Sequence, residues 1–170
     1  MALASSEGWL FLLRWIHFFA GVTWIGLLYY FNFVQTPFFA ETEAPVRSGA
    51  IQKLVPRALW WFRYGALFTF LSGALIILHR WGQAGGAFFA GSYGWAILLG
   101  GLLGTMMFLN VWGVIWPNQQ KILGLKPATD EEKNKARRVA LLASRTNMML
   151  SIPMLFFMAG GMTHKAAFGL

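Results

Sequence analysis

A histidine and an arginine lie inside a stretch that is otherwise apolar enough to cross a lipid bilayer. The stretch reads RWIHFFAGVTWIGLLYYF and contains Arg14 and His17. An ionisable side chain at such a depth normally faces a helix bundle or a cavity, because lipid does not solvate it. Imidazole is a common axial ligand of haem iron. The first chemistry that these residues suggest is therefore the binding of a metal centre.

Helical spacing brings further residues to the same face as His17. Gly21 and Trp24 follow it by four and seven positions, and Arg14 precedes it by about one turn. A glycine one turn from an imidazole leaves room for a flat ring, and an arginine nearer the helix end suits the ring's propionates. The spacing predicts a haem b bound by His17 beside Gly21 and Trp24, with Arg14 or Arg80 near the propionates.

Three residues compete for the second axial position. His79 and His164 end later apolar stretches on the same side as His17, and Met158 lies at a better depth but is of a type that more often packs. We predict His17 and His164 as the pair of metal ligands. The alternative for His17 is a hydrogen bond to a Thr, a Ser or a backbone carbonyl of a neighbouring helix, with Gly21 serving helix packing.

The composition identifies the setting in which these residues work. Of the 170 residues, 57% are hydrophobic and only 12% are charged, with a mean hydropathy of +0.53, so polar groups could not cover a water-facing surface. Four stretches, about 9–34, 58–78, 93–116 and 139–163, are long enough to cross a bilayer as helices. The sequence predicts an all-α fold, an integral membrane bundle of four antiparallel helices that forms one domain over residues 1–170.

The absence of cysteine removes several kinds of site. Without a thiol there are no disulfides, thiolate metal sites or iron–sulfur clusters, and no covalent attachment of a c-type haem. Acidic residues are absent from the predicted spans, which argues against a transporter that works through carboxylates.

The net charge of +8 is a topology signal rather than a sign of nucleic-acid binding. Eleven of the fourteen basic residues fall in or near the connections between spans one and two and between spans three and four. By the positive-inside rule these connections are cytoplasmic, so we predict a multi-pass protein of a bacterial inner membrane with both termini outside. The basic residues on that side are Arg47, Lys53, Arg57, Arg63, Lys121, Lys126, Lys133, Lys135, Arg137, Arg138 and Arg145.

The two basic connections carry signs of local structure. An apolar and basic stretch, 46–55, suits a short amphipathic helix at the membrane interface. Thr129 and Glu132 have the spacing of a capping box, which predicts that a helix of about 34 residues begins there.

A second polar cluster lies toward the basic connections. It comprises Asn32, Gln35, Arg63, Asn110 and the segments 116–120 and 144–147. Buried polar groups require partners, so the cluster is either a pocket for a quinone or small substrate or a set of hydrogen bonds between helices. We favour the hydrogen bonds.

Three segments resemble a known family. WIHFFAGVTWIGLLYYFNFVQ, NVWGVIWPNQQKIL and SRTNMMLSIPMLFFMAGGMTH are similar to the membrane domain of the bacterial membrane-bound urate oxidase (urate hydroxylase) family. The resemblance implies a short four-helix form without the family's cytochrome c domain. The first segment is also distantly similar to the haem-dependent protoporphyrinogen oxidase group, in which a first-helix histidine is associated with haem b. That similarity transfers a ligand only to His17.

Two functions are compatible with these observations. The first is a haem-b-binding redox protein, an oxidoreductase or a subunit of one, that passes electrons from quinol or a larger enzyme toward the outer face. The alternative is a cofactor-free accessory subunit of a larger respiratory or photosynthetic membrane complex. Beyond lipid, the expected partners are such a complex or a second copy of the chain.

Overall fold

The structure, a computed structural model, describes the backbone of residues 5–163 and the side chains of residues 5–159. Within these bounds the chain is helical apart from short connections, and it contains no strand, as the all-α prediction requires. The elements are α1 Ser6–Tyr29, a first π-helical turn Tyr30–Gln35, α2 Thr36–Glu41, α3 Ala44–Lys53, α4 Val55–Ala84, a 3-10 turn Gly85–Phe89, α5 Ser92–Asn110, a second π-helical turn Val111–Ile115, α6 Trp116–Ile122 and α7 Asp130–Thr163.

Four helical stretches are long and apolar enough to cross a membrane, which confirms the predicted number of spans. Much of their outward surface is apolar, with Phe18, Phe19 and Met149 each more than 60% exposed, and this surface is suited to lipid. The predicted spans fall inside longer helices, because the helices continue past the apolar core into polar ends. The stretches are Ser6–Glu41, Val55–Phe89, Ser92–Ile122 and Asp130–Ala159, called spans one to four below.

The spans form two antiparallel pairs. α1 packs along α4, and α5 packs along α7. In the first pair, a Cβ atom at Gly65 would lie 3.2 Å from the backbone nitrogen of Trp24. In the second, a Cβ atom at Gly100 would lie 3.1 Å from Cγ of Met158. Glycines thus set the closest approach in both pairs.

One hydrophobic core joins the two pairs. Trp24 and Leu28 of α1 and Phe62 of α4 are almost completely buried, as are Met107 and Val111 of span three. These side chains belong to a single contiguous cluster. The core lies in the half of the bundle nearer the basic connections, since it contains Trp24 to Phe31 of span one and Val55 to Ala66 of span two.

Spans one and three share an irregularity that the sequence analysis did not predict. Each contains a π-helical turn that ends two positions before a proline, Pro37 or Pro117. The backbone N–H of Thr36 bonds to the carbonyl of Phe31, and that of Trp116 to the carbonyl of Val111, five residues back in each case. Proline has no N–H, and its ring clashes with the carbonyl four residues earlier, so a widened turn accommodates it.

The connections between spans one and two and between spans three and four meet at one end of the bundle, which we call the basic end. A helix is present in the predicted region as α3, though its apolar and polar residues do not separate onto two faces, and α7 has 34 residues as expected. The capping box is formed. Glu132 Oε2 accepts a hydrogen bond from the Thr129 N–H at 2.8 Å, and Thr129 Oγ1 accepts one from the Glu132 N–H at 3.2 Å. Which side of the membrane this end faces stays a prediction.

Replacing Thr129 by alanine should loosen the start of α7. The substitution leaves the Glu132 N–H without its acceptor, so we expect the amides of the first turn to exchange about fivefold faster with deuterium. Hydrogen exchange followed by mass spectrometry measures this. Thr146→Ala is the control, because the Thr146 hydroxyl donates only to Leu142 of its own helix. Equal exchange in the two variants would contradict a capping role.

Candidate functional site

His17 projects from α1 into the contact with α4. Its Nδ1 lies 2.9 Å from the backbone carbonyl oxygen of Thr69 and 3.3 Å from Ser72 Oγ. The Ser72 hydroxyl has its own acceptor in the carbonyl of Phe68, so it does not need to donate to the imidazole. The geometry therefore fits the tautomer in which Nδ1–H donates to the Thr69 carbonyl and Nε2 carries the lone pair.

This hydrogen bond is consistent with both interpretations of His17 that the sequence offers. A bond to a backbone carbonyl of the neighbouring helix is present, as the structural alternative predicts. The same bond is the usual means by which a metal-binding histidine is oriented, because it fixes the tautomer and aims the other nitrogen. Among the described side chains, none forms a hydrogen bond with Nε2. The structural bond and ligand binding are thus compatible.

The glycines near His17 differ in what they permit. A Cβ atom at Gly73 would lie 2.9 Å from Cε1 of the imidazole, so Gly73 is the surface on which the ring rests. A Cβ atom at Gly21 would meet only the Thr69 side chain, at 3.8 and 3.9 Å, which is ordinary contact. Helix packing therefore explains Gly73 but does not require a glycine at position 21.

The other predicted site residues on these two helices have different surroundings. Trp24 lies in the hydrophobic core at 2% exposure, and its indole Nε1 has no hydrogen-bond partner in the described part of the chain. Arg14 is exposed. Arg80 is half-buried, with a nitrogen 3.5 Å from Oε1 of Gln83. The structure thus brings His17 and Gly21 together on the α1–α4 contact, whereas Trp24 lies deeper and the two arginines lie nearer the end.

The candidates for a second axial ligand are not beside His17. His79 lies six residues beyond Gly73 on α4, which is about 9 Å along the helix axis, and its Nε2 is buried without a hydrogen-bond partner among the described residues. Met158 packs against Gly100 in the other helix pair. His164 lies outside the described residues. Between residues 5 and 163, no group of three or more metal-binding side chains comes together.

Part of the second polar cluster is held by hydrogen bonds between helices, as favoured from the sequence, whereas Gln35 Oε1 is buried without a hydrogen-bond partner among the described residues. Asn32 Nδ2 donates to Ser144 Oγ at 2.9 Å. Asn110 Nδ2 donates to Asn147 Oδ1 at 2.7 Å, and Asn147 Nδ2 donates to the Met107 carbonyl at 3.0 Å. These bonds tie spans one and three to span four. Asn147 is completely buried, so its amide depends on these partners.

Two further contacts were not predicted from the sequence. Tyr29 and Ser151 share a hydrogen bond of 2.9 Å between spans one and four. The guanidinium of Arg63 lies 3.3 Å from the ring centroid of Trp116, and so the charge of span two stacks on an indole of span three. Both contacts join residues far apart in the chain, and only the observation that each residue is polar in an apolar stretch could have suggested them.

The second half of the chain carries a family match. Residues 75–167 match the family described as urate oxidase N-terminal. The chain belongs to this family. The matched range contains the segments around Asn110 and Asn147 that resemble the urate oxidase membrane domain, and it begins beyond His17. Among curated proteins and solved structures, none matches the chain. The family is therefore shown by residues 75–167, which do not include His17.

Proposed function

We propose that this member of the urate oxidase N-terminal family is the membrane part of an oxidoreductase and holds one haem b through Nε2 of His17. The observation that carries the proposal is the bond between Nδ1 of His17 and the Thr69 carbonyl. It leaves an imidazole nitrogen with a lone pair, in a fixed orientation, within a membrane helix. Such a group is costly in lipid unless it has a partner.

The residues around His17 leave room for a haem on one side of the imidazole and not on the other. The direct contact of α1 and α4 at Gly65 and Gly73 leaves no space for a macrocycle between these helices. A Cβ atom at Gly21, one turn from the imidazole, would be in ordinary contact with the Thr69 side chain of α4, so a ring would have to lie on the side of His17 away from α4. A bound haem would supply reversible one-electron chemistry at iron, and its potential would depend on the axial ligands. The chain's own contribution is to orient His17 and to keep water from the ring.

The second ligand and the direction of electron flow belong to the same proposal. His164 is the expected second ligand, since neither His79 nor Met158 lies beside His17. Electrons would pass from quinol or a larger enzyme toward an acceptor at the end of the bundle opposite the basic end. Because no other described imidazole lies beside His17, a second copy is the other source of the missing ligand.

Absorption spectra of the purified chain, oxidised and reduced with dithionite, test the proposal. We expect the Soret and α bands of a haem b in the natural chain and their loss in His17→Gln. Glutamine can still donate to the Thr69 carbonyl, so the fold should survive, as elution volume and helical circular dichroism would report. His79→Ala should keep both bands. A colourless natural chain purified from haem-supplied cells, or unchanged bands in a folded His17→Gln variant, would disprove haem binding by His17.

Gly21 offers an independent test of where the ring lies. Gly21→Leu should weaken haem retention, because its side chain would extend past the ordinary contact that a Cβ atom makes with Thr69 and would crowd the surface one turn from His17. Gly26→Leu is the matched control on the same helix, since nothing lies within 4 Å of a Cβ atom there. Equal haem content in the two variants would place the ring elsewhere.

The alternative is a cofactor-free accessory subunit. It is supported by the extensive exposed apolar surface, which includes Phe18, Phe19 and Met149, and by the hydrogen bond that already gives His17 a partner. A colourless protein that co-purifies in fixed ratio with a large membrane complex would favour it.

A further inference from the structure

A cavity at the basic end has no part in the site around His17. It has a volume of about 600 Å³ and lies between α3, the turn that follows α6, and the start of α7. Its walls are formed by the connection between spans one and two and by the connection between spans three and four. Because α3 leads directly into α4, the cavity lies where the chain enters the bilayer.

The polar wall of the cavity is basic. Arg47 of α3 and Lys133 and Arg137 of α7 line it, and among the described residues that line it none is acidic. Each arginine has only part of its donor capacity in use. Arg47 Nη1 donates to the Phe39 carbonyl at 3.1 Å, and Arg137 Nη1 donates to Asn134 Oδ1 at 2.6 Å. A guanidinium has five N–H donors, so donors remain for an anionic oxygen.

Acidic residues lie close to the cavity and do not neutralise it. Lys133 Nζ lies 3.6 Å from Asp130 Oδ1, and the Asp130 side chain is almost fully exposed. Glu132 pairs instead with Lys121, at 3.9 Å. An exposed ion pair is weak, because water screens it. Arg47 and Arg137 have no carboxylate partner within 4.0 Å among the described residues, so the cavity keeps a positive charge.

The remaining wall is apolar. Ile51, Pro56, Ile122 and Leu125 contribute to it, and Leu125 is 63% exposed. A cavity with three cationic groups on one wall and aliphatic side chains on another suits a ligand that is anionic at one end and apolar at the other. At the end of a membrane bundle, that description fits an anionic lipid better than a soluble phosphate compound.

We propose that this cavity binds the phosphate of one anionic phospholipid, held by Arg47, Lys133 and Arg137, with the first part of its acyl chains against the aliphatic wall. The lipid links α3 to the start of α7. It thereby connects the loop of the first helix pair to the loop of the second. This binding is independent of haem and of the electron-transfer role.

Native mass spectrometry of the full chain tests the proposal, with the protein released from vesicles of equal parts phosphatidylglycerol and phosphatidylcholine. We expect the natural chain to retain one phosphatidylglycerol in preference to phosphatidylcholine. The double variant Arg47→Gln with Arg137→Gln should retain it about thirtyfold less. The control is Arg57→Gln with Arg138→Gln, which removes the same charge from neighbouring positions that do not line the cavity.

Three results would overturn the proposal. Equal loss in the control double variant would mean that diffuse surface charge holds the lipid. Equal retention of phosphatidylcholine would mean that the basic wall does not select a headgroup. Displacement of phosphatidylglycerol by millimolar inorganic phosphate would mean that the cavity takes a soluble phosphate compound and that the aliphatic wall contributes nothing.

Discussion

Replacement of Gly65 by leucine is expected to separate α1 from α4 and to lower the free energy of unfolding by about 3 kcal/mol. A Cβ atom at position 65 would lie 3.2 Å from the nitrogen and 3.4 Å from the Cα atom of Trp24, and 3.3 Å from the carbonyl oxygen of Ala20. All three are backbone atoms, which cannot move aside as a flexible side chain can. The helices would have to part, and the buried Trp24 would lose its contacts.

An unfolding titration with SDS in mixed micelles measures this loss. Gly82→Leu is the matched control, because it makes the same change on the same helix at a position where nothing lies within 4 Å of a Cβ atom. Any gain in helix propensity from replacing glycine is common to both variants, so the difference between them isolates the helix contact. Equal unfolding midpoints would show that the α1–α4 contact is looser than the geometry implies.

The same contact shows how far the sequence determines the fold. The positions 17, 21, 24, 28 and 31 follow a helical stripe, and that stripe does form the face of span one that meets span two. Hydrophobic length alone was enough to place the four spans, because the bilayer sets the length of a helix that crosses it. These periodicities do not predict which spans pack against each other. It depends on glycines such as Gly65 and Gly100, whose partners lie on another helix.

The candidate site could be predicted only in part, for a related reason. The sequence identifies His17 as an ionisable group in lipid and offers a hydrogen bond or a haem as its explanation. The acceptor is a backbone carbonyl, that of Thr69, which every residue carries, so no side-chain pattern could reveal it. The stripe likewise suggests that Trp24 lines the same site, whereas the helix crossing carries Trp24 into the core.

The π-helical turns were beyond prediction from the spacing of apolar residues. Pro37 and Pro117 indicate a disturbance in a helix, and the sequence does not say whether the helix kinks, ends or widens. In both spans it widens, which changes the direction of every later side chain on the helix. The stack of Arg63 on Trp116 lies just past the second of these turns. Contacts of this kind cannot be predicted until the path of the backbone is known.

The substitution Asn147→Asp is expected to have the largest effect among changes to the polar cluster, at about 3 kcal/mol of unfolding free energy. Aspartate keeps the oxygen that accepts from Asn110, but it loses the donor to the Met107 carbonyl and places a carboxylate at a completely buried position. Asn147→Leu removes both hydrogen bonds without adding charge. We expect it to lower the free energy of unfolding by about 1 kcal/mol, because each hydrogen bond between membrane helices contributes little more than half of this amount.

The ranking of these two variants separates two roles for the cluster. If Asn147 only joins helices, the leucine variant stays folded and the aspartate variant is the less stable, by SDS titration. Asn118→Leu is the control, because the Asn118 amide donates to Val114 of its own helix and should contribute nothing between helices. If the aspartate variant were as stable as the natural chain, water or a cation would have to reach Asn147. The cluster would then be a polar pocket, and the hydrogen bonds between spans three and four would be incidental to it.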